Sequence, residues 1–138
     1  MFRKSMVIYA SLLFVAAAIL FGCDDSQTSK RFTVTYDVYG TFSECTVFYI
    51  TRSDQVGPDE VNQGGQSLDE DVTLPWLYTF DVTVTPMFPF WTQIAAVCSD
   101  SDGGDVEVFL SIDGEIMDTA QESGRNVNAM AEYQLIVN

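Results

Sequence analysis

The stretch Phe32-Thr33-Val34-Thr35-Tyr36-Asp37-Val38-Tyr39 decides the fold. Phe32, Val34, Tyr36 and Val38 alternate with Thr33, Thr35, Asp37 and Tyr39, and period two marks a half-buried β-strand. Gly40 closes it. The same chemistry recurs downstream. Cys45 to Arg52 (CTVFYITR) is rich in β-branched and aromatic residues. Val72-Thr73-Leu74 reads as a brief strand stopped by Pro75. Tyr78, Phe80, Val82 and Val84 alternate with Thr79, Asp81, Thr83 and Thr85. Trp91 to Ser99 is more continuously apolar, as a central strand is, and Ser99 to Gly104 reads as a turn. Asp105 to Ile112 alternates again. Asp113-Gly114 is a two-residue hairpin signal, because both central positions of a type I′ turn need positive φ. Glu115 to Ala120 returns, and Asn126 to Val137 supplies a last strand. No stretch after residue 23 has a helical period. Seven or eight short strands over residues 32–138 predict an all-β domain, an antiparallel β-sandwich. Ser53 to Asp71, broken by Gly57-Pro58 and Gly64-Gly65, is expected to be one long irregular loop.

The chain ahead of this domain has a different character. Arg3 and Lys4 precede an apolar run from Met6 to Phe21, and charge returns at Asp24-Asp25. A basic start, a short apolar core and a small residue before the break describe a secretory signal peptide. Leu20-Phe21-Gly22-Cys23 resembles the bacterial lipobox, which implies lipid on the Cys23 thiol and a mature chain that starts there. An uncleaved anchor helix, or ordinary cleavage nearby, are the alternatives. The expected organisation is a signal peptide (1–22), a lipidated cysteine with a polar tether (23–31), and the β domain. Such a chain is extracytoplasmic, held at the cell envelope by its lipid.

Charge narrows the partners. The sequence carries a formal charge of −14, and its signal segment takes two of the six basic residues with it. Lys30, Arg31, Arg52 and Arg125 then face all 20 acids. Nucleic acid and anionic lipid both select a positive surface, so neither is an expected partner. There is no histidine. The commonest general base and the commonest transition-metal ligand are therefore missing together. Carboxylate pairs of the kind that hydrolyse glycosides arise by chance among so many acids. With no nucleophile motif beside them, the expectation is a protein that is not an enzyme.

Three groups of residues remain as candidates. Cys45 and Cys98 are an even pair once Cys23 is assigned to lipid, and form either a disulfide or two buried thiols. Asp100, Asp102 and Asp105, in the run DSDGGDVE, alternate with glycine in a way that can wrap a hard cation such as calcium. Turn chemistry explains the same residues without one, and no cofactor is expected. Trp76, Phe88, Phe90 and Trp91 surround Pro75, Pro86 and Pro89, and are either core plugs or a recognition patch.

Tyr36-Asp37-Val38-Tyr39-Gly40, Val72-Thr73-Leu74-Pro75-Trp76 and Ser111-Ile112-Asp113-Gly114, with Gly124 following, resemble in order and spacing the soluble domain of the MmpS family. The resemblance implies an immunoglobulin-like sandwich outside the cytoplasmic membrane, in an accessory to large lipid or siderophore exporters. That family has a glycine-rich hairpin turn where Asp100 to Glu107 lies. It usually keeps an uncleaved anchor helix, unlike the lipobox here, and lacks the long acidic segment. The expected function is a lipid-anchored interaction domain with an envelope protein partner, such as a transport system. The competing expectation is a module that binds a cation or small ligand through its acidic loops.

Overall fold

The computed structural model describes residues 28–57, 60–62 and 64–138. The expected signal peptide, Cys23 and the first part of the tether lie outside the described residues. Six strands cross them: β1 (Lys30–Gly40), β2 (Glu44–Arg52), β3 (Gly65–Thr73), β4 (Trp76–Val84), β5 (Phe90–Ile112) and β6 (Glu115–Leu135). All pairings are antiparallel, and none of the described residues forms a helix able to cross a membrane.

The strands form one curled sheet with two wings, because β5 and β6 are long enough to belong to both. The first part of β5 pairs with β2 through Ile94 to Cys98, and β3 lies outside β2. The later part pairs with β1 through Val106 to Ile112, and β4 lies outside β1. β6 runs along the whole of β5 on its other side. Between Ser99 and Gly104 the β5–β6 register shifts, and there the sheet changes wing. Gly103 and Gly124 both have positive φ at this crossing (78° and 146°), which a side chain would strain.

The alternation read from the sequence is the burial pattern found. Val34, Tyr36 and Val38 are fully buried and Phe32 nearly so, while Thr33 is exposed. Val47, Tyr49, Ile94, Ala96, Val106, Val108, Leu110, Ala129 and Ala131 supply the inner faces of the other strands. The wings meet through aromatic rings. Tyr36 of β1 touches Tyr49 of β2 and Phe80 of β4, and Phe80 touches Phe90 of β5. The Tyr36 hydroxyl donates to the Ile50 carbonyl (2.6 Å) and accepts from the Gln93 amide (3.2 Å), so a phenol from one wing bonds to two strands of the other. The Asp118 carboxylate of β6 accepts from the Glu132 amide farther along the same strand (2.9 Å), closing the side where β6 folds over.

Four expectations change. Ser99 to Gly104 does not separate two strands: β5 folds over from one wing to the other there while its pairing with β6 resumes beyond a register shift, so glycine and aspartate make a bulge rather than a hairpin turn. Trp91–Ser99 and Asp105–Ile112 are thus one strand, and the last two predicted strands are likewise one. Six strands therefore replace seven or eight. The long loop is also shorter than expected, since Gly65 to Asp71 pairs with β2 as most of β3. Three successive acids, Asp69-Glu70-Asp71, hid that strand. They belong to an edge, where charge on both faces is tolerated. Asp113-Gly114 is a hairpin tip as expected, with φ of 51° and 83°. The tip docks on β1: Asp113 N donates to Thr33 O (2.8 Å) and Thr33 N to Asp113 Oδ1 (2.9 Å).

Candidate functional site

The strand register gives the domain two unlike ends. β1 enters at Lys30, which pairs with Val84, and its last two residues, Tyr39 and Gly40, pair with Glu107 and Val106. Eleven residues of strand extend about 35 Å, so the two ends are well separated. At the far end gather Gly40 to Glu44, the β3–β4 turn at Leu74-Pro75, the β5 crossing and Gly124 to Asn126.

This far end is acidic. A shallow depression of about 330 Å³ is lined by Glu44, Cys45, Thr46, Asp71, Val97, Cys98 and Ser99. Cys45 and Cys98 face each other across β2 and β5 and form a disulfide, so the first of the two sequence readings holds. The bridge joins the strands that carry the depression's walls. Asp71 Oδ1 accepts from Thr46 Oγ1 (2.7 Å), which fixes one carboxylate, while Glu44 is exposed. A smaller depression of about 100 Å³ lies across the crossing, between Tyr39, Gly40, Asp105, Val106, Glu107 and Gln121.

The structure puts Asp100, Asp102 and Asp105 at the crossing and gives each of them a hydrogen bond there. Asp100 Oδ1 accepts from the Asp102 amide (2.9 Å), a local turn. The Asp105 amide donates to Thr41 Oγ1 (2.9 Å), and its carbonyl accepts from Thr41 N (2.9 Å). Their backbone thus ties β5 to the β1–β2 connection. Among the described residues no group of three or more Asp, Glu, Cys or His is placed to hold a metal ion.

The aromatic segment is divided by the fold. Trp76 stacks on Tyr78 with nearly parallel rings, and both contact Tyr49 between the wings. Phe90 is core. Phe88 and Trp91 are exposed, at the end where β1 enters. A second apolar surface went unread in the sequence. Phe48, Ala95 and Met130 share one cross-strand row on the outer face of the first wing, with exposed Val97 in the next row. The signal was present as outward-facing apolar residues in strands whose alternation was otherwise read only for the core.

Electrostatics distinguish the outer face of the second wing. Thr33 Oγ1 donates to Asp81 (2.7 Å) and Arg31 pairs with it (2.7 Å), and together they hold its carboxyl below the usual range. Asp37, between Leu77 and Phe109 in its row, is pushed up by burial. No protein-family model matches this chain, and no curated protein matches it.

Proposed function

We propose that this chain is a lipid-anchored, non-enzymatic interaction domain of the cell envelope, tethered through Cys23. It presents its acidic end to an envelope protein such as a transport system, as the MmpS resemblance suggests. In this reading the two wings are the layers of an immunoglobulin-like sandwich whose sheets are joined by β5 and β6. The wing-to-wing bonds of Tyr36 support that architecture.

The observation that carries the reading is the separation of entry and acidity. The chain reaches the domain at Lys30, and the carboxylate-lined depressions lie at the other end of β1. A domain tethered at one end offers the opposite end outward. Carboxylates there favour a cationic partner surface and speed its encounter. The exposed row Phe48–Ala95–Met130 beside the first depression adds apolar contact of the kind interfaces use.

Affinity capture from envelope extracts tests this, with the full chain as bait beside a Glu44→Gln/Asp71→Asn variant. The reading expects a stoichiometric partner that the variant loses while its melting temperature is kept. Capture of no partner, together with a melting temperature that rises with calcium, would favour the cation-binding alternative. Mass analysis of the mature N-terminus tests the anchor: a diacylglyceryl-modified Cys23 supports it, and an intact Met1 refutes it.

A further inference from the structure

We infer that the end of the domain where β1 begins is a membrane-contacting face, whose Phe88, Trp91 and Ile136 enter the interface of the bilayer that anchors the chain. The inference rests on the proposed lipidation of Cys23 and adds an orientation to it.

Pairing register places these residues around the point of entry. Lys30, the first residue of β1, pairs with Val84. The next residue, Thr85, bridges to Phe88 across the turn that holds Pro86 and Met87. Phe90 pairs with Leu135 and Trp91 with Gln134, which brings Ile136 alongside. The β5–β6 hairpin tip meets Thr33, so Ile116 belongs to the same end. Phe88 is 37% exposed, Trp91 44% and Ile136 56%. Phe90, the neighbour of Trp91 on β5, is 2% exposed, and strand alternation turns Trp91 to the outer face.

The length of chain ahead of Lys30 says what covers them. From Cys23 to Lys30 the backbone spans at most about 25 Å. A lipid on Cys23 therefore holds the start of β1 within that distance of the bilayer surface. Tryptophan and phenylalanine are the side chains favoured at that depth, where one part of the ring is apolar and the surroundings are wet. The proposed surface is a neutral bilayer. Lys30, Arg31 and Arg52 lie at this end while Arg125 is at the far one, and Asp54, Glu60, Asp81, Asp113 and Glu115 lie at this end with them. The strongly acidic end faces away.

The two tryptophans make the test direct, because Trp76 pairs with Val38 near the acidic end and Trp91 lies at the proposed contact. Lipidated full chain is incorporated in phosphatidylcholine vesicles with and without brominated acyl chains. The expected result is quenching of about half of the emission, the share of one of two tryptophans, and its loss in Trp91→Phe. Flotation with the vesicles and the mass of the N-terminus are read on the same sample. Lipidated, co-floating protein with unquenched emission overturns the contact alone, as does quenching that persists in Trp91→Phe. Dimeric protein with Trp91 shielded from bromine would assign the face to a second copy and overturn it too. Unmodified Cys23 overturns the contact together with the anchor.

Discussion

The Tyr36 hydroxyl donates to the Ile50 carbonyl at 2.6 Å, in the middle of the domain and across its two wings. The same oxygen accepts from the Gln93 amide, so one phenol satisfies two part-buried backbone groups on adjacent strands. Tyr36→Phe removes both partners and keeps the ring. A buried group left unpaired costs about 1–3 kcal/mol, and that is the expected loss. Urea unfolding should report it as a lower midpoint with an unchanged slope.

Alkaline pH should unfold the domain early. Burial raises Tyr36 well above the ordinary tyrosine range. Burial, and then the neighbouring Glu70 charge and hydrogen bond, push Tyr49 up to about 12 from 10.0. Both folded values exceed the unfolded ones. The neutral phenols therefore stabilise the fold fully below about pH 10, and this is lost as pH rises through the folded values. Unfolding midpoints measured from pH 8 upward should stay flat and then fall above about 10. Tyr49→Phe should flatten that fall; a fall of the same steepness in the variant would exclude Tyr49 as its source.

The Cys45–Cys98 bridge closes 53 residues of chain. On the chain-entropy model a loop of this size stabilises by about 4 kcal/mol. Reduction, or a Cys45→Ala/Cys98→Ala variant, should lower unfolding stability by up to that amount. Comparing the two with the oxidised protein in one denaturant series checks the figure.

Gly40 and Gly64 should respond unequally to alanine. A Cβ on Gly40 would meet the Asp105 carbonyl oxygen, which is backbone and already accepts from Thr41. On Gly64 it would meet nothing within 4 Å. Gly40→Ala is expected to cost about 1–3 kcal/mol as overpacking, and Gly64→Ala to change stability by under about 0.5 kcal/mol. Thermal melts of the two variants give the comparison.

Where side chains alternate cleanly, sequence and fold agree. Phe32 to Val38 and the Asp113-Gly114 tip are readable because burial and positive φ each select narrow residue types. β3 was not, since an edge strand buries only Val72 fully and wears acids elsewhere. The β5 crossing was not, since Asp100 to Gly104 has the composition of a turn whether the chain reverses or bulges. Of the candidate site, the cysteine pairing was one of two open readings. The acidic end depends on β1, β2, β3 and β5 stopping or crossing at one place, which no local stretch encodes. Phe88 and Trp91 were legible as an aromatic segment, but only the fold separates them from Phe90 and Trp76.

β1 lies between β4 and β5, paired to both along most of its length. The domain continues toward the N-terminus from that strand. Antiparallel hydrogen bonds run perpendicular to the strands. A pull applied ahead of Lys30 and resisted at the acidic end therefore acts along the strand, and loads two ladders in shear at once. They would have to slip together, whereas a force across the strand would open them one bond at a time. In the proposed anchoring, the pull would enter the domain on a strand held from both sides.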